Sequence, residues 1–144
     1  MSIRFREADL SDLDLLLDLE GQGSARWTRK MFEDEMEIDF SRTILALDEE
    51  KPAGFIVVWL APGEVQLNNI SVAREHRRKG VALSLIHHVC DKDFHPGREK
   101  IILEAREDNL PALELYEKAG FARTGERPEY YGRTGAVLME KRLP

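Results

Sequence analysis

The chain has 144 residues, 42% of them hydrophobic and 33% charged, which fits one globular domain over 1–144 and excludes a disordered or membrane-spanning class. Its 21 Lys and Arg against 27 Asp and Glu leave a net charge of −6, so neither direct nucleic-acid contact nor an anionic membrane is expected as partner, while a cationic one is accommodated. One cysteine, Cys90, excludes an internal disulfide and fits a reducing compartment.

The start, Met1 to Glu7, alternates polar and apolar residues without an apolar signal core, so a cytoplasmic protein is expected. Ile3 and Phe5 predict a short first strand. Ser11 with Asp14 three residues later has the form of a capping box, and the Leu-rich run to Leu19 predicts a helix that Gly21 and Gly23 stop. Thr28 is the expected N-cap of a second helix reaching about Ile38. Strands are expected over Thr43–Leu47 and Ala53–Leu60, joined by the turn Asp48–Pro52, and over Val65–Val72 after Ala61-Pro62-Gly63. A charged segment from Ala73 to Lys79 ends at Gly80. Beyond it Val81, Ala82, Leu85, Ile86, Val89 and Cys90 recur at the helical period, and His95-Pro96-Gly97 closes that helix. Lys100 to Arg106 reads as a strand. Asn109 reads as the N-cap of a helix with Pro111 in its first turn and Gly120 as its stop. The tail reads as a hairpin, with strands near Phe121–Arg127 and Ala136–Leu143. This order, β-α-α-β-β-β-α-β-α-β-β, predicts an α/β (α+β) fold with a mixed sheet of about six or seven strands and four flanking helices.

The densest chemical signal lies between Val72 and Ala82, where Arg77, Arg78 and Lys79 precede a glycine that opens an amphipathic helix. Free N–H groups and the positive end of a helix dipole favour a phosphate at such a place, and basic side chains add charge-assisted bonds. A basic run of this kind is also an ordinary solvated loop. No Lys-Ser/Thr pair follows Gly80 and no Gly-x-Gly-x-x-Gly is present, so neither common nucleotide loop matches.

The pattern Arg77-x-x-Gly80-x-Ala82 between a strand and a helix resembles the acetyl-CoA loop of the GNAT acetyltransferases. Asn68-Asn69-Ile70-Ser71-Val72 is similar to the strand before that loop. Asn109-Leu110-Pro111-Ala112-Leu113-Glu114-Leu115-Tyr116, continued by Glu117-Lys118-Ala119-Gly120-Phe121, is similar to the family's Asn-x-x-Ala-x-x-Leu-Tyr-x-x-x-Gly-Phe segment. Two separated motifs in the family's order are far more specific than either alone. Nearly the whole chain resembles the RimI-like ribosomal-protein-alanine N-acetyltransferases. Arg26-Trp27-Thr28 stands for their Pro-Trp-Ser, Leu103-Glu104-Ala105-Arg106 for Leu-Glu-Val-Arg, and Arg127-Pro128-Glu129-Tyr130-Tyr131 for Arg-x-x-Tyr-Tyr. Arg26 departs from the proline, and Ala82 from a second glycine.

The resemblance implies a GNAT fold and an acetyl-CoA-dependent acyltransferase acting on a protein or peptide N-terminus. The family's acceptor is a basic, alanine-starting ribosomal protein, and no metal is implied. Glu104 is implied as general base, by direct contact or through water, and Tyr116 as general acid for the CoA thiolate. Ile70, Ser71 and Val72 are implied as backbone contacts of pantetheine, with Asn109 bonding the same arm. The pyrophosphate falls to Arg78, Lys79, Gly80, Val81, Ala82 and Leu83, with Arg77 beside them. Trp27, Tyr130 and Tyr131 are implied as walls of the acceptor groove. An α-amine, with a pKa of about 7.7–8.0, needs only a modest base, whereas lysine at about 10.4 asks more.

The residues themselves leave other readings open. Glu104 fits either a buried base, with Arg106 the one charge partner nearby, or a solvent-facing strand glutamate. Tyr116 lies on an apolar helix stripe like a core tyrosine, and each aromatic is equally credible as packing. A lysine or small-amine acceptor, and a non-catalytic acyl-CoA-binding module, are the rival functions; a monomer or weak dimer is expected. His76, His87, His88 and His95 form no His-x-x-x-His pair. Cys90 lies on an apolar stripe and no Gly-x-Ser-x-Gly is present. Neither a zinc site nor a nucleophilic hydrolase is expected.

Overall fold

Strands β1 (Ile3–Glu7), β2 (Ser41–Asp48), β3 (Lys51–Ala61) and β4 (Glu64–Val72) form an antiparallel meander. The structure is a computed structural model that describes residues 1–23 and 26–144. β5 (Lys100–Arg106) pairs parallel to β4, a neighbour that can be reached only by a crossover, here helix α3 (Val81–Cys90). The hairpin β6 (Ala122–Tyr131) and β7 (Thr134–Arg142) completes a seven-stranded mixed sheet in the order β1-β2-β3-β4-β5-β7-β6. The element order is the one the sequence predicts. Among the described residues, no helix is long and apolar enough to cross a membrane.

Both faces of the central strands are apolar, so both are covered. Leu45, Phe55 and Val57 meet Leu13, Leu16 and Leu19 of α1 (Leu13–Gly21) and Phe32 of α2 (Arg29–Met36). On the other face Ile44, Ile56, Val58, Ile101 and Leu103 pack on α3 and on Leu113 and Tyr116 of α4 (Leu110–Lys118). Gly54 allows β3 to approach β4 closely: a Cβ there would lie 2.6 Å from the Ser71 carbonyl oxygen. β4 carries an irregularity with consequences for the site. Val57 pairs with Asn69 and Val58 with Leu67, so Asn68 is an extra residue. The extra residue flips the alternation, so that Ile70 and Val72 share Leu67's face, while Asn69 and Ser71 bond to residues of α1.

Four local expectations are corrected. The capping box belongs to Asp9 rather than Ser11: Asp9 accepts from the Ser11 N–H at 2.9 Å and Asp12 from the Asp9 N–H at 3.0 Å, in a 3-10 turn ahead of α1. Arg6 then grips Asp12, six positions on, with two bonds of 2.9 Å. The β2–β3 link is only Glu49-Glu50, both in the left-handed region (φ 49° and 76°), whose twist suits a two-residue hairpin. α3 stops at Cys90, where Asp91 turns extended and its carboxylate accepts from the Asp93 N–H at 2.9 Å. Buried His95 folds back, its Nε2 2.6 Å from the Cys90 carbonyl oxygen, satisfying a helix-end acceptor. The final hairpin is longer than expected, turning at Gly132-Arg133.

Candidate active site

The parallel pairing of β4 with β5 runs only from Glu64–Lys100 to Leu67–Leu103. Beyond it β4 stays on β3 and β5 stays on β7, so the two strands part and a cleft of about 960 Å³ opens between them. Backbone polar groups facing such a gap are available to a ligand that can pair with them. Ile70, Ser71 and Val72, which the resemblance implies as pantetheine contacts, border the cleft.

The loop after β4 turns back at Arg78 and Gly80, both left-handed (φ 63° and 81°), and delivers the first turn of α3 to the cleft. Glycine is the residue that holds the second of these turns without strain. No side chain caps α3 at Gly80, and Gly80, Val81, Ala82 and Leu83 at the helix start line the cleft. Arg78 lines the cleft; Lys79 lies on the loop outside the lining. Arg77 lines it too but is held by backbone. Its Nε donates to the Val72 carbonyl at 3.3 Å and its Nη2 to the Gln22 carbonyl at 2.5 Å. The Gln22 side chain accepts from the Arg74 N–H at 2.7 Å, so the loop is fastened to the end of α1 at two points.

On the opposite wall, Asn109 caps α4 by accepting from the Ala112 N–H at 3.3 Å, which fixes the helix start beside the cleft. Tyr116 follows two turns later. The residue is 7% exposed, its ring packs edge-on to Phe121 at 5.8 Å, and burial pushes its phenol up to about 12. At neutral pH it is therefore a protonated donor on the cleft lining.

A second cleft of about 470 Å³ lies over the face of β5 and β7 that no helix covers, lined in part by Gln66, Ile102, Leu138 and Glu140. Leu67, Asn68, Glu104 and Tyr131 line both clefts, so Glu104 stands where they meet. It lies on the opposite face of β5 from Leu103 and Ala105, which join the α3–α4 core with Tyr116. Of the two readings left open for Glu104, a buried carboxylate beside Arg106 does not hold: its side chain is 33% exposed and Arg127 Nη2 lies 3.2 Å from its Oε1. Arg106 instead makes two bonds to Asp108, at 3.0 and 3.1 Å. The β6–β7 hairpin, folding back beside β5, is what brings Arg127 across.

Tyr131 receives the Arg106 guanidinium 5.2 Å above its ring, and its phenol is raised by burial and by the neighbouring Glu104. Tyr130 stacks edge-on to it at 5.0 Å, half-exposed and outside both linings. Trp27 lines the larger cleft, its ring 5.1 Å from Phe32. Its backbone N–H donates to Glu20 at 3.0 Å, and Glu20 also accepts from the Asn69 amide at 3.1 Å. This buried carboxylate is a site residue the sequence reading missed. Its signal was an acid at helical spacing from Leu13 and Leu16, on a stripe otherwise apolar. The whole offers a carboxylate and a phenol on opposite faces of a gap, a proton acceptor and a donor for a molecule threaded through it.

The sequence profile of the acetyltransferase (GNAT) family matches residues 13–121. A [ribosomal protein bS18]-alanine N-acetyltransferase of Escherichia coli (strain K12) is 30% identical over 139 residues, covering 91% of each chain. Its counterpart of the same name in Salmonella typhimurium is 28% identical, covering 90% of each. The crystal structure of the ribosomal-protein-S18-alanine N-acetyltransferase from Escherichia coli superposes with a TM-score of 0.89 at 24% identity, over 99% of this chain and 94% of that one. Arabidopsis thaliana NAA60 in complex with acetyl-CoA superposes with a TM-score of 0.85 at 19% identity, over 98% of each. These two structures share the fold.

Proposed function

Since the chain belongs to the GNAT acetyltransferase family and is an acyltransferase, we propose that it moves the acetyl group of acetyl-CoA to the N-terminal α-amine of a protein. The proposed acceptor is an alanine-starting ribosomal protein, the class named for its relatives, met in the cytoplasm by residues 1–144 acting as one domain. The observation that carries the reading is the position of Glu104 at the meeting of two clefts, one sized for a long cofactor and one open to a polypeptide end.

Acetyl-CoA supplies an activated acyl thioester. The backbone of Ile70 to Val72 pairs with the pantetheine arm in the place of a missing strand, and Asn109 adds a side-chain contact. Arg78, the first turn of α3 and the αL turn at Gly80 receive the pyrophosphate. The residues fit this ligand on two grounds: a parted strand pair and an uncapped helix start border one cleft. Trp27 and Tyr131, with Tyr130 behind, flank the approach of the acceptor. Glu104 takes a proton from the ammonium, directly or through water, and passes it to solvent. The amine nitrogen then forms a bond to the thioester carbonyl carbon as the C–S bond breaks, and the second proton it sheds in becoming a neutral amide goes to Glu104. The departing sulfur takes the Tyr116 proton, which the phenolate then recovers from solvent.

Glu104→Gln tests this directly. Turnover should fall about 100-fold or more, with acetyl-CoA affinity and melting temperature nearly unchanged. Full turnover by the variant would remove Glu104 from the chemistry. The acceptor is checked with two peptide sets. Free α-amines should turn over, and N-terminally blocked peptides carrying lysine should not; the reverse would make the protein a lysine acetyltransferase.

A further inference from the structure

Arg127 is held at Glu104 by a contact suited to being broken. One guanidinium nitrogen lies 3.2 Å from Oε1, and the two side chains are 52% and 33% exposed, so water weakens their attraction. The same guanidinium lies 5.4 Å from the centre of the Tyr130 ring, a second resting place for a cation. Arg127 also sits on the outermost strand, where the pairing with β7 breaks between Arg127 and Tyr131 and Glu129 takes a left-handed φ of 57°. Both clefts open on Glu104, and Arg127 lines the smaller one.

We propose that Arg127 is a placeholder for the acceptor's own cation. An α-ammonium carries the charge and N–H donors of a guanidinium, so on entry it competes for the same carboxylate and leaves Arg127 held by the Tyr130 ring it already faces. The acetylated product is a neutral amide and offers no such competition. Arg127 then returns to Glu104, and the site favours substrate over product. Arg127 is thus a positioning residue acting through Glu104, and the proposal rests on the reading of Glu104 as the group that meets the amine.

The test is acceptor-peptide affinity by calorimetry on acetyl-CoA-free protein, with KM, kcat and product inhibition beside it. Wild type is compared with Arg127→Gln, Arg127→Lys, Glu104→Gln and the double variant Glu104→Gln/Arg127→Gln. An exposed pair of this kind predicts that Arg127→Gln tightens acceptor binding about two- to fivefold, with a matching fall in KM and stronger product inhibition. Arg127→Lys should behave as wild type. On the Glu104→Gln background, Arg127→Gln should change affinity by less than about 1.5-fold. Unchanged or weaker binding by Arg127→Gln, or an equal change with and without Glu104, overturns the placeholder. Failure of the base reading shows separately, as retained turnover in Glu104→Gln, because the affinity cycle needs no turnover.

Discussion

In the proposed reaction Tyr116 and Glu104 do opposite things with a proton, and their surroundings differ accordingly. The phenol is buried and pushed up to about 12, so it keeps its hydrogen throughout the working range, whereas the carboxylate is partly open to water and ion-paired. Tyr116→Phe should lower kcat about tenfold, since a thiolate whose acid has a pKa of about 8.5 leaves with limited help. Acetyl-CoA affinity and melting should hold, and the wild-type kcat profile should show no alkaline limb from this group below about pH 11. A large loss of cofactor affinity would instead make the hydroxyl a binding group. Tyr116 and Gly80 were legible in the sequence because their motifs are local, each set by spacing along one helix or turn. The Glu104–Arg127 pair was not, because 23 positions separate the partners and only the order of β5, β7 and β6 brings them together. Arg106 was the plausible local partner, and Asp108, two positions on, engages it instead.

Among the elements, β4 does the most to position the site. The alternation of Val65 and Leu67 makes it legible as a strand, and Val72 ends it both in the sequence pattern and in the structure. The extra residue was not legible, because a bulge shows only against a partner's register. Deleting Asn68 should therefore be far worse than substituting it. Without it Asn69 and Ser71 would turn toward α3, and Ile70 and Val72 toward Glu20 of α1. Asn68→Ala should melt within a few degrees of wild type and still bind acetyl-CoA. The deletion should cost about 2 kcal/mol or more and abolish binding, by thermal melts and calorimetry. A deletion variant with normal affinity would mean that the strand's phase does not matter.

At the scale of the whole molecule, the charge of −6 is unevenly placed along the chain, with Arg77, Arg78 and Lys79 standing together just before α3. Acid should loosen the fold in a way that can be traced to named groups. The Arg6 hydrogen bonds hold the Asp12 carboxyl below the usual carboxylate range, against the desolvation that raises it. Its contribution is fully present above the unfolded value of about 3.9 and is lost as the pH falls through the lower folded value. Asp12→Ala should destabilise by about 1–2 kcal/mol at pH 7, and the gap to wild type should close as the pH falls below about 4. A gap that stays constant with pH would show packing, not charge, at work. The parted strands bear on the molecule's mechanics as well. Within the sheet, the meander β1–β4 meets β5, β7 and β6 across one short seam, from Glu64–Lys100 to Leu67–Leu103. Beyond that seam, toward Val72 and Arg106, no β4–β5 pairing joins the two parts of the sheet. In the proposed reaction a cofactor lying between the parted strands would bridge the two parts of the sheet, so the molecule that brings the acetyl group would also set the distance over which it is passed.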